Sequence, residues 1–95
     1  MWDGYRTTRW RKLRERILRR DGYRSQEALR YGRSVEAEIV HHCWPVEEFP
    51  EFAWERWNLI ALSLEAHNMM HDRTTGKLSP TGEALRRKTV PPDRR

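Results

Sequence analysis

The sequence is poor in cysteine and has no long apolar run. Cys43 is the only cysteine among 95 residues, which excludes an intramolecular disulfide and any zinc site that takes two or more thiolates from one chain. No segment approaches the ~20 apolar residues of a membrane span, and the first ten residues lack the apolar stretch of a signal peptide. We therefore expect a cytoplasmic protein without a membrane-spanning segment.

Lysine is also scarce, and arginine takes its place. Of the 19 basic residues only three are lysines, and the net charge is +5. Because the guanidinium group binds oxyanions with a fork of donors, this bias suggests a phosphate-bearing partner. Five Trp, three Tyr and two Phe provide apolar surface for one compact core. We expect a single domain over residues 1–88 and a flexible tail over residues 89–95.

The charges are segregated along the chain. Residues 1–33 carry 11 basic and 4 acidic side chains, and residues 73–95 carry seven basic and two acidic ones. Between them, residues 34–72 carry eight acidic side chains and one basic one. Basic arms can bind a polyanion, but an acidic centre repels it unless a cation lies there. The alternative is that each charge run is only a solvated helix face.

Periodicity and punctuation predict both helices and strands. The segments with helical signals are residues 8–20, 26–31, 51–56, 64–71 and 80–88. The segments with strand signals are residues 35–42 and 59–62. Ser63 and Ser79 are suited to cap the helices that follow them, and a proline after Ser79 fits the first helical position.

All four histidines lie in the acidic centre of the chain. His67 and His71 are four residues apart on a predicted helix, so their side chains share one face and can bind a single ion. His41 and His42 are adjacent at a strand end, so they point to opposite sides and only one can join that pair. A three-ligand site keeps positions open, as catalytic sites do, and leaves the other histidine as a general base. The alternatives are a surface histidine pair, or a structural site made by Cys43 with three histidines.

Four motifs follow one another in a recognisable order. They are Arg20-Asp21-Gly22-Tyr23 after a basic helix, the doublet His41-His42, Trp57-Asn58-Leu59-Ile60, and Ala66-His67-Asn68-Met69-Met70-His71. In this order they resemble the HNH endonucleases of the ββα-metal (His-Me finger) type, especially small phage-encoded members, and the histidine pattern is similar to that of nuclease colicins. The resemblance covers roughly residues 5–72. It implies an α+β fold whose ββα-metal core spans about residues 34–72, with a preceding basic helix and a short C-terminal helix.

The resemblance also implies a function and a role for each site residue. The protein would be a DNA endonuclease that leaves 5′-phosphate and 3′-hydroxyl ends, with His42 as the general base. The amide of Asn58 would brace the loop that carries the base. One divalent metal ion would be held by His41, His67 and His71. Imidazole ligands suit zinc or nickel, whereas family habit allows manganese or magnesium.

The implied substrate is double-stranded DNA, bound with low sequence specificity. Phosphate contacts are expected from Arg9, Arg11, Lys12, Arg16, Arg19, Arg20 and Arg73. A phage terminase that packages DNA is a further partner expected from the family. The alternatives are a non-catalytic nucleic-acid-binding module with a structural metal, and a toxin-like nuclease that needs an immunity partner.

The sequence departs from the family in one respect. Many members carry two Cys-x-x-Cys pairs that bind a structural zinc, but residues 25–28 and 63–66 contain no cysteine here. A structural zinc site built from four cysteines is therefore excluded. Apolar packing is expected to replace it, with Ala28, Leu29, Leu64 and Ala66 as the candidate residues.

Overall fold

The structure, a computed structural model, describes residues 2–94. Its main elements are α1 (Thr8–Arg20), α2 (Gln26–Arg30), β1 (Ile39–His42), β2 (Leu59–Leu62), α3 (Leu64–Asn68) and α4 (Pro80–Lys88). Short 3-10 helices lie at Asp3–Arg6, Pro50–Phe52, Arg56–Asn58 and Pro92–Arg94. The predicted α+β class is confirmed. Within the described range, no helix combines the length and the apolar character needed to cross a membrane.

The central element is a two-stranded antiparallel sheet covered by α1. In β1 and β2, Ile39 lies opposite Leu62 and His42 lies opposite Leu59. Because two strands alone are marginally stable in water, the sheet depends on the apolar face of a helix. Four α1 side chains supply that face, all of them buried: Trp10, Leu13, Ile17 and Leu18. They belong to one cluster with Ala37, Val40, Leu59 and Ala61.

The free edge of β2 is closed by side chains at the end of α1. The Asp21 carboxylate accepts a hydrogen bond from the Ala61 N–H at 2.9 Å, and the Arg20 guanidinium donates to the Leu59 carbonyl at 2.5 Å. The same guanidinium pairs with Asp21 at 2.8 Å. These contacts satisfy backbone groups that an exposed strand edge would leave open for another chain.

The first helix begins and ends where local signals predict. The Thr7 hydroxyl caps α1 by accepting a hydrogen bond from the Trp10 N–H at 3.1 Å. After Asp21 the chain leaves the helix through Gly22, whose φ of 65° suits glycine. The predicted limits of α1 and β2 are confirmed, and α4 follows Ser79, whose hydroxyl accepts from the Gly82 N–H.

Two other predictions about local structure are wrong in part. The first strand begins at Ile39 and not at residue 35, because residues 35–37 pair with residues 23–25 instead of with β2. In that pairing Ser25 donates to the Val35 carbonyl at 2.7 Å, and Ala37 donates to the Tyr23 carbonyl at 2.8 Å. The helical turn predicted over residues 51–56 is replaced by 3-10 helices on either side of Ala53.

The helix predicted to reach His71 ends at Asn68. The Ser63 hydroxyl caps it as expected, accepting from the Ala66 N–H at 3.2 Å. At the other end, the Met69 and Met70 carbonyls accept hydrogen bonds from Ser79, at 2.5 Å from its hydroxyl and 2.9 Å from its N–H. His71 then pairs with Leu78 in an antiparallel bridge. The extended pairing of residues 70–72 with residues 77–79 therefore replaces the last turn of the predicted helix.

Apolar packing replaces the missing zinc site only at some of the expected positions. Ala28 and Ala66 are buried, whereas Leu29 and Leu64 are exposed. A second apolar cluster joins α3 to α4, and its members are Leu62, Ala66, Met70, Ile60 and Leu85.

The segment predicted to be a flexible tail contacts the loop after β1. The Trp44 indole N–H donates to the Thr89 carbonyl at 2.6 Å, and Pro91 is buried. Arg95 lies outside the described residues. The flexibility of this segment stays a prediction.

Candidate metal centre and active site

Three imidazoles converge from three segments of the chain. His41 lies on β1, His67 on α3, and His71 in the turn after α3. Each offers one ring nitrogen, and these nitrogens lie within 4.8 Å of one another. The turn after Asn68 thus brings His71 to His67 without a continuous helix between them.

The chemistry of this cluster fits a divalent cation. His41 is buried, and its Nε2 atom has no hydrogen-bond partner in the structure. Burial, together with the nearby His67 and His71, lowers the pKa of His41 to about 3, and burial also lowers the pKa of His67. Neutral imidazoles present the lone pairs that metal ions bind. Because an unpartnered buried nitrogen costs about 1–3 kcal/mol, an ion among these rings would offset that cost.

His42 has different neighbours from His41, as expected for adjacent residues of a strand. Its Nε2 lies 3.0 Å from the Ala53 carbonyl, and its Nδ1 lies 3.3 Å from the Tyr5 hydroxyl. A carbonyl only accepts hydrogen bonds, so this arrangement assigns the proton of the neutral ring to Nε2 and leaves Nδ1 as the acceptor. Burial lowers the pKa of His42, although the bond to Ala53 opposes that shift. The ring is thus held neutral, and its one acceptor lone pair, on Nδ1, faces the Tyr5 hydroxyl. A neutral imidazole with an acceptor nitrogen is what a general base requires.

The three-histidine cluster and His42 line the same cavity, whose volume is about 490 Å³. His41, His42, His67 and His71 contribute to its wall. Other polar residues around the cavity are Tyr5, Glu47, Glu48, Thr75 and Lys77. The cavity therefore places a candidate base and a candidate metal cluster around one space that a substrate could enter.

Asn58 is fully buried and ties the loop after β1 together. Its side-chain oxygen accepts from the Trp44 N–H at 2.7 Å, and its amide donates to the Trp44 carbonyl at 3.1 Å and to the Phe52 carbonyl at 3.2 Å. Phe52 precedes Ala53, whose carbonyl holds the ring of His42. The geometry therefore suits a residue that positions the base.

The basic residues expected to contact DNA fall into two groups. All seven lie at exposed positions, and six of them form one group: Arg9, Arg11, Lys12, Arg16, Arg19 and Arg73. Arg20 differs, because its guanidinium donates to the Asp21 carboxylate and to the carbonyls of Arg56 and Leu59. Because these donors hold the sheet edge, Arg20 has less capacity for a phosphate contact than the other six.

Cys43 is not brought to the histidine cluster. The group of potential metal ligands contains His41, His67 and His71. The thiol of Cys43 is instead buried beside the Thr89 side chain, and burial raises its pKa to about 11. The alternative of a structural site formed by Cys43 with three histidines is therefore not supported.

The sequence did not predict which residues surround His42. Trp10 stacks on its ring at 5.1 Å with an interplanar angle of 17°, and Trp2 contacts it edge-on at 5.3 Å. Tyr5 completes this group. The available signal was the aromatic density of residues 2–10, but helical periodicity explained Trp10 as a core residue.

Comparison with known proteins adds an independent observation. The chain matches no protein-family model, and no curated protein is significantly similar to it. Among solved structures it is similar to the HNH endonuclease of the deep-sea thermophilic bacteriophage GVE2, determined with a manganese ion. The TM-score is 0.66 at 28% sequence identity, over 67% of this chain and 70% of that chain. This likeness, together with the histidine cluster, confirms the predicted resemblance to the HNH endonucleases, and the fold is the ββα-metal fold.

Proposed function

We propose that the protein is a metal-dependent endonuclease that hydrolyses DNA phosphodiesters. The observation that carries this proposal is the cavity in which three converging imidazoles face the same space as a buried neutral histidine. His41, His67 and His71 are the proposed ligands, and the buried, unpartnered Nε2 of His41 is the strongest support for a metal ligand at this position. The similar phage GVE2 enzyme, determined with manganese, supports a divalent metal.

The proposed mechanism assigns each residue one task. His42, with Nε2–H held by Ala53, accepts at Nδ1 the proton that the attacking water loses. Asn58 acts as a positioning residue, because its amide fixes the loop from which the Ala53 carbonyl reaches His42. A bound divalent ion supplies Lewis-acid stabilisation of the charge that develops on the phosphate and the leaving oxygen. Cleavage of the bond to O3′ leaves 5′-phosphate and 3′-hydroxyl ends.

The ligand set bears on the identity of the ion. Three imidazoles suit zinc or nickel, and manganese is supported by the GVE2 structure. Magnesium is the weakest candidate, because it prefers oxygen ligands and keeps several waters. We therefore expect manganese, nickel or zinc to support more activity than magnesium.

The substrate is proposed to be double-stranded DNA bound mainly through phosphates. The cationic surface is provided by the exposed arginines on α1 and by Arg73, which lies two residues after His71. Such contacts carry little base information, so sequence specificity should be low and binding should weaken steeply with salt. A role beside a DNA-packaging terminase in the cytoplasm of an infected cell is proposed from the family and from the phage origin of the GVE2 enzyme.

Cleavage of supercoiled plasmid tests the proposal. The purified protein is incubated with manganese, nickel, zinc or magnesium, and with EDTA, beside the variants His42→Ala and His67→Ala. Asn68→Ala is the matched control, because Asn68 is an exposed neighbour of His67 on α3. We expect metal-dependent nicked or linear product from wild type and the control, and a loss of about 10²–10⁴-fold in rate for His42→Ala.

Two results would contradict the proposal. If His42→Ala folds, binds metal and cleaves at the wild-type rate, His42 is not the base. If the metal-loaded wild type binds duplex DNA and leaves it uncut with every ion, the protein is a nucleic-acid-binding module with a structural metal site.

A further inference from the structure

We propose that Tyr5 is a catalytic residue, whose hydroxyl passes the proton of the attacking water to Nδ1 of His42. This inference rests on the proposed function and deepens it. It starts from the position of the phenol, which lies 3.3 Å from the only ring nitrogen of His42 that can accept a proton. The other ring nitrogen is held by the Ala53 carbonyl at 3.0 Å.

The single lone pair on Nδ1 makes a direct contact with water difficult while Tyr5 is in place. A neutral imidazole has one acceptor nitrogen, and the Tyr5 hydroxyl already donates to it. His42 is also nearly inaccessible, at 5% relative exposure, whereas Tyr5 is 40% exposed and lines the cavity. The oxygen of the phenol keeps its own acceptor capacity, so a water in the cavity can donate to Tyr5 while the phenol occupies Nδ1.

Packing argues that Tyr5 stays in this position instead of swinging away. Its ring makes edge-on contacts with Trp2 at 4.9 Å and with Trp10 at 5.3 Å. The backbone around it is fixed by Thr7, whose hydroxyl donates to the Gly4 carbonyl at 2.7 Å. A Cβ at Gly4 would clash with the Trp2 ring, so the glycine lets that ring lie close over the segment. Displacing Tyr5 would therefore break its contacts with both tryptophans.

The environment also keeps the phenol protonated. Burial and the nearby Glu47 carboxylate raise the pKa of Tyr5 above its ordinary value. Tyr5 is thus a hydrogen-bond donor to His42 throughout the range in which the imidazole is neutral. This supports the geometry, since a relay residue must hold a proton before the reaction begins.

The proton transfer balances without a further reactant. The attacking water gives a proton to the Tyr5 oxygen while the phenolic proton moves to Nδ1 of His42. Tyr5 ends neutral, and His42 ends as an imidazolium whose Nε2–H still faces Ala53. The water oxygen bonds to phosphorus, and the bond to O3′ breaks with its electron pair on O3′, which takes a proton from solvent. The imidazolium then returns its extra proton to solvent.

Tyr5→Phe tests the relay, because it keeps the ring contacts and removes only the hydroxyl. Single-turnover and steady-state cleavage of a labelled DNA duplex are measured with saturating manganese. We expect kcat to fall about 10²-fold, in the range of acid-base catalysts, while KM and metal affinity stay unchanged. Tyr23→Phe is the matched control, since Tyr23 is also 40% exposed and its hydroxyl bonds to a side chain, that of Glu15, at 3.2 Å. A Tyr5→Phe enzyme as fast as wild type, or faster, overturns the relay.

A second readout does not depend on activity. Nitrogen NMR of the metal-free protein reports which ring nitrogen of His42 carries a proton and whether the other accepts a hydrogen bond. In Tyr5→Phe we expect the Nδ1 signal to move to the position of a free acceptor while Nε2 stays protonated. Unchanged ring signals would overturn the proposed contact.

The same experiments separate this inference from the proposed function. If Tyr5→Phe cleaves normally and His42→Ala is inactive, the relay is wrong and the nuclease mechanism through His42 stands. If His42→Ala itself cleaves normally, the assignment of the base is wrong and the relay falls with it.

Discussion

Replacing Gly82 by alanine should destabilise the protein, although helix propensity predicts the reverse. In a helix, alanine is favoured over glycine by about 1 kcal/mol. A Cβ at Gly82 would lie 2.8 Å from Cδ2 of Leu78, and it would clash more severely with the Met70 carbonyl oxygen. Overpacking costs about 1–3 kcal/mol, and a clash with backbone belongs at the upper end of that range. After the gain in propensity is subtracted, we expect a net loss of about 2 kcal/mol.

Thermal unfolding followed by circular dichroism measures this effect. For a domain of this size, about 2 kcal/mol corresponds to a fall in Tm of roughly 8–16 °C. Ala84→Gly is the control for propensity alone, because Ala84 is exposed on the same helix. Its expected cost is about 1 kcal/mol. A Gly82→Ala protein that melts at or above the wild-type temperature would refute the packing argument.

The contact also bears on the metal cluster. The Met70 carbonyl accepts from the Ser79 N–H at 2.9 Å, directly before His71. A shift of α4 that relieves the clash would therefore move the segment that carries one proposed ligand. We expect Gly82→Ala to weaken metal binding as well as stability.

Three further predictions follow from named contacts. Asn58→Ala removes three side-chain hydrogen bonds from a buried site. It should lower the free energy of unfolding, measured in urea, by about 3 kcal/mol. A change below about 1 kcal/mol would contradict the bracing role of Asn58. Arg20→Ala should lower the free energy of unfolding by about 2 kcal/mol. Arg19→Ala should leave stability unchanged and reduce the slope of log K for DNA binding against log salt concentration by roughly 0.9. The reverse pattern would assign Arg20 to the DNA-binding surface. In the metal-free protein burial lowers the pKa of His41 to about 3, so the folded state resists protonation of this ring. The free energy of unfolding should therefore be highest above about pH 6.5. Below that pH it should fall by up to about 1.4 kcal/mol per pH unit until about pH 3. His41→Gln should reduce that slope in urea unfolding between about pH 6.5 and about pH 5, and an unchanged slope would contradict the assignment to His41.

The elements that the sequence predicted are those governed by neighbouring residues. The start of α1 depends on the Thr7 hydroxyl, and its end on Asp21 and Gly22. The end of α3 was not predictable in this way. It depends on hydrogen bonds from Ser79 to carbonyls nine and ten residues earlier in the chain, and no local signal at Asn68 announces them.

The candidate site shows the same division. The spacing of the histidines predicted that His67 and His71 share a site with one residue of the doublet, and the family resemblance implied that this residue is His41. Long-range packing decides the rest. Arg19 and Arg20 are indistinguishable as neighbours in a basic helix, and only the fold shows that Arg20 closes the edge of β2. Likewise, only the fold brings Tyr5 to His42, 37 residues away.

Anomalous diffraction from crystals soaked in manganese tests the proposed histidine centre directly. The structure predicts a single strong peak in the cavity, at roughly 2.0–2.3 Å from one ring nitrogen of each proposed ligand. These ligands are His41, His67 and His71. Manganese bound elsewhere, for example at Glu47 or Glu48 on the cavity wall, with no density among the three imidazoles, would contradict the assignment of this cluster as the metal site.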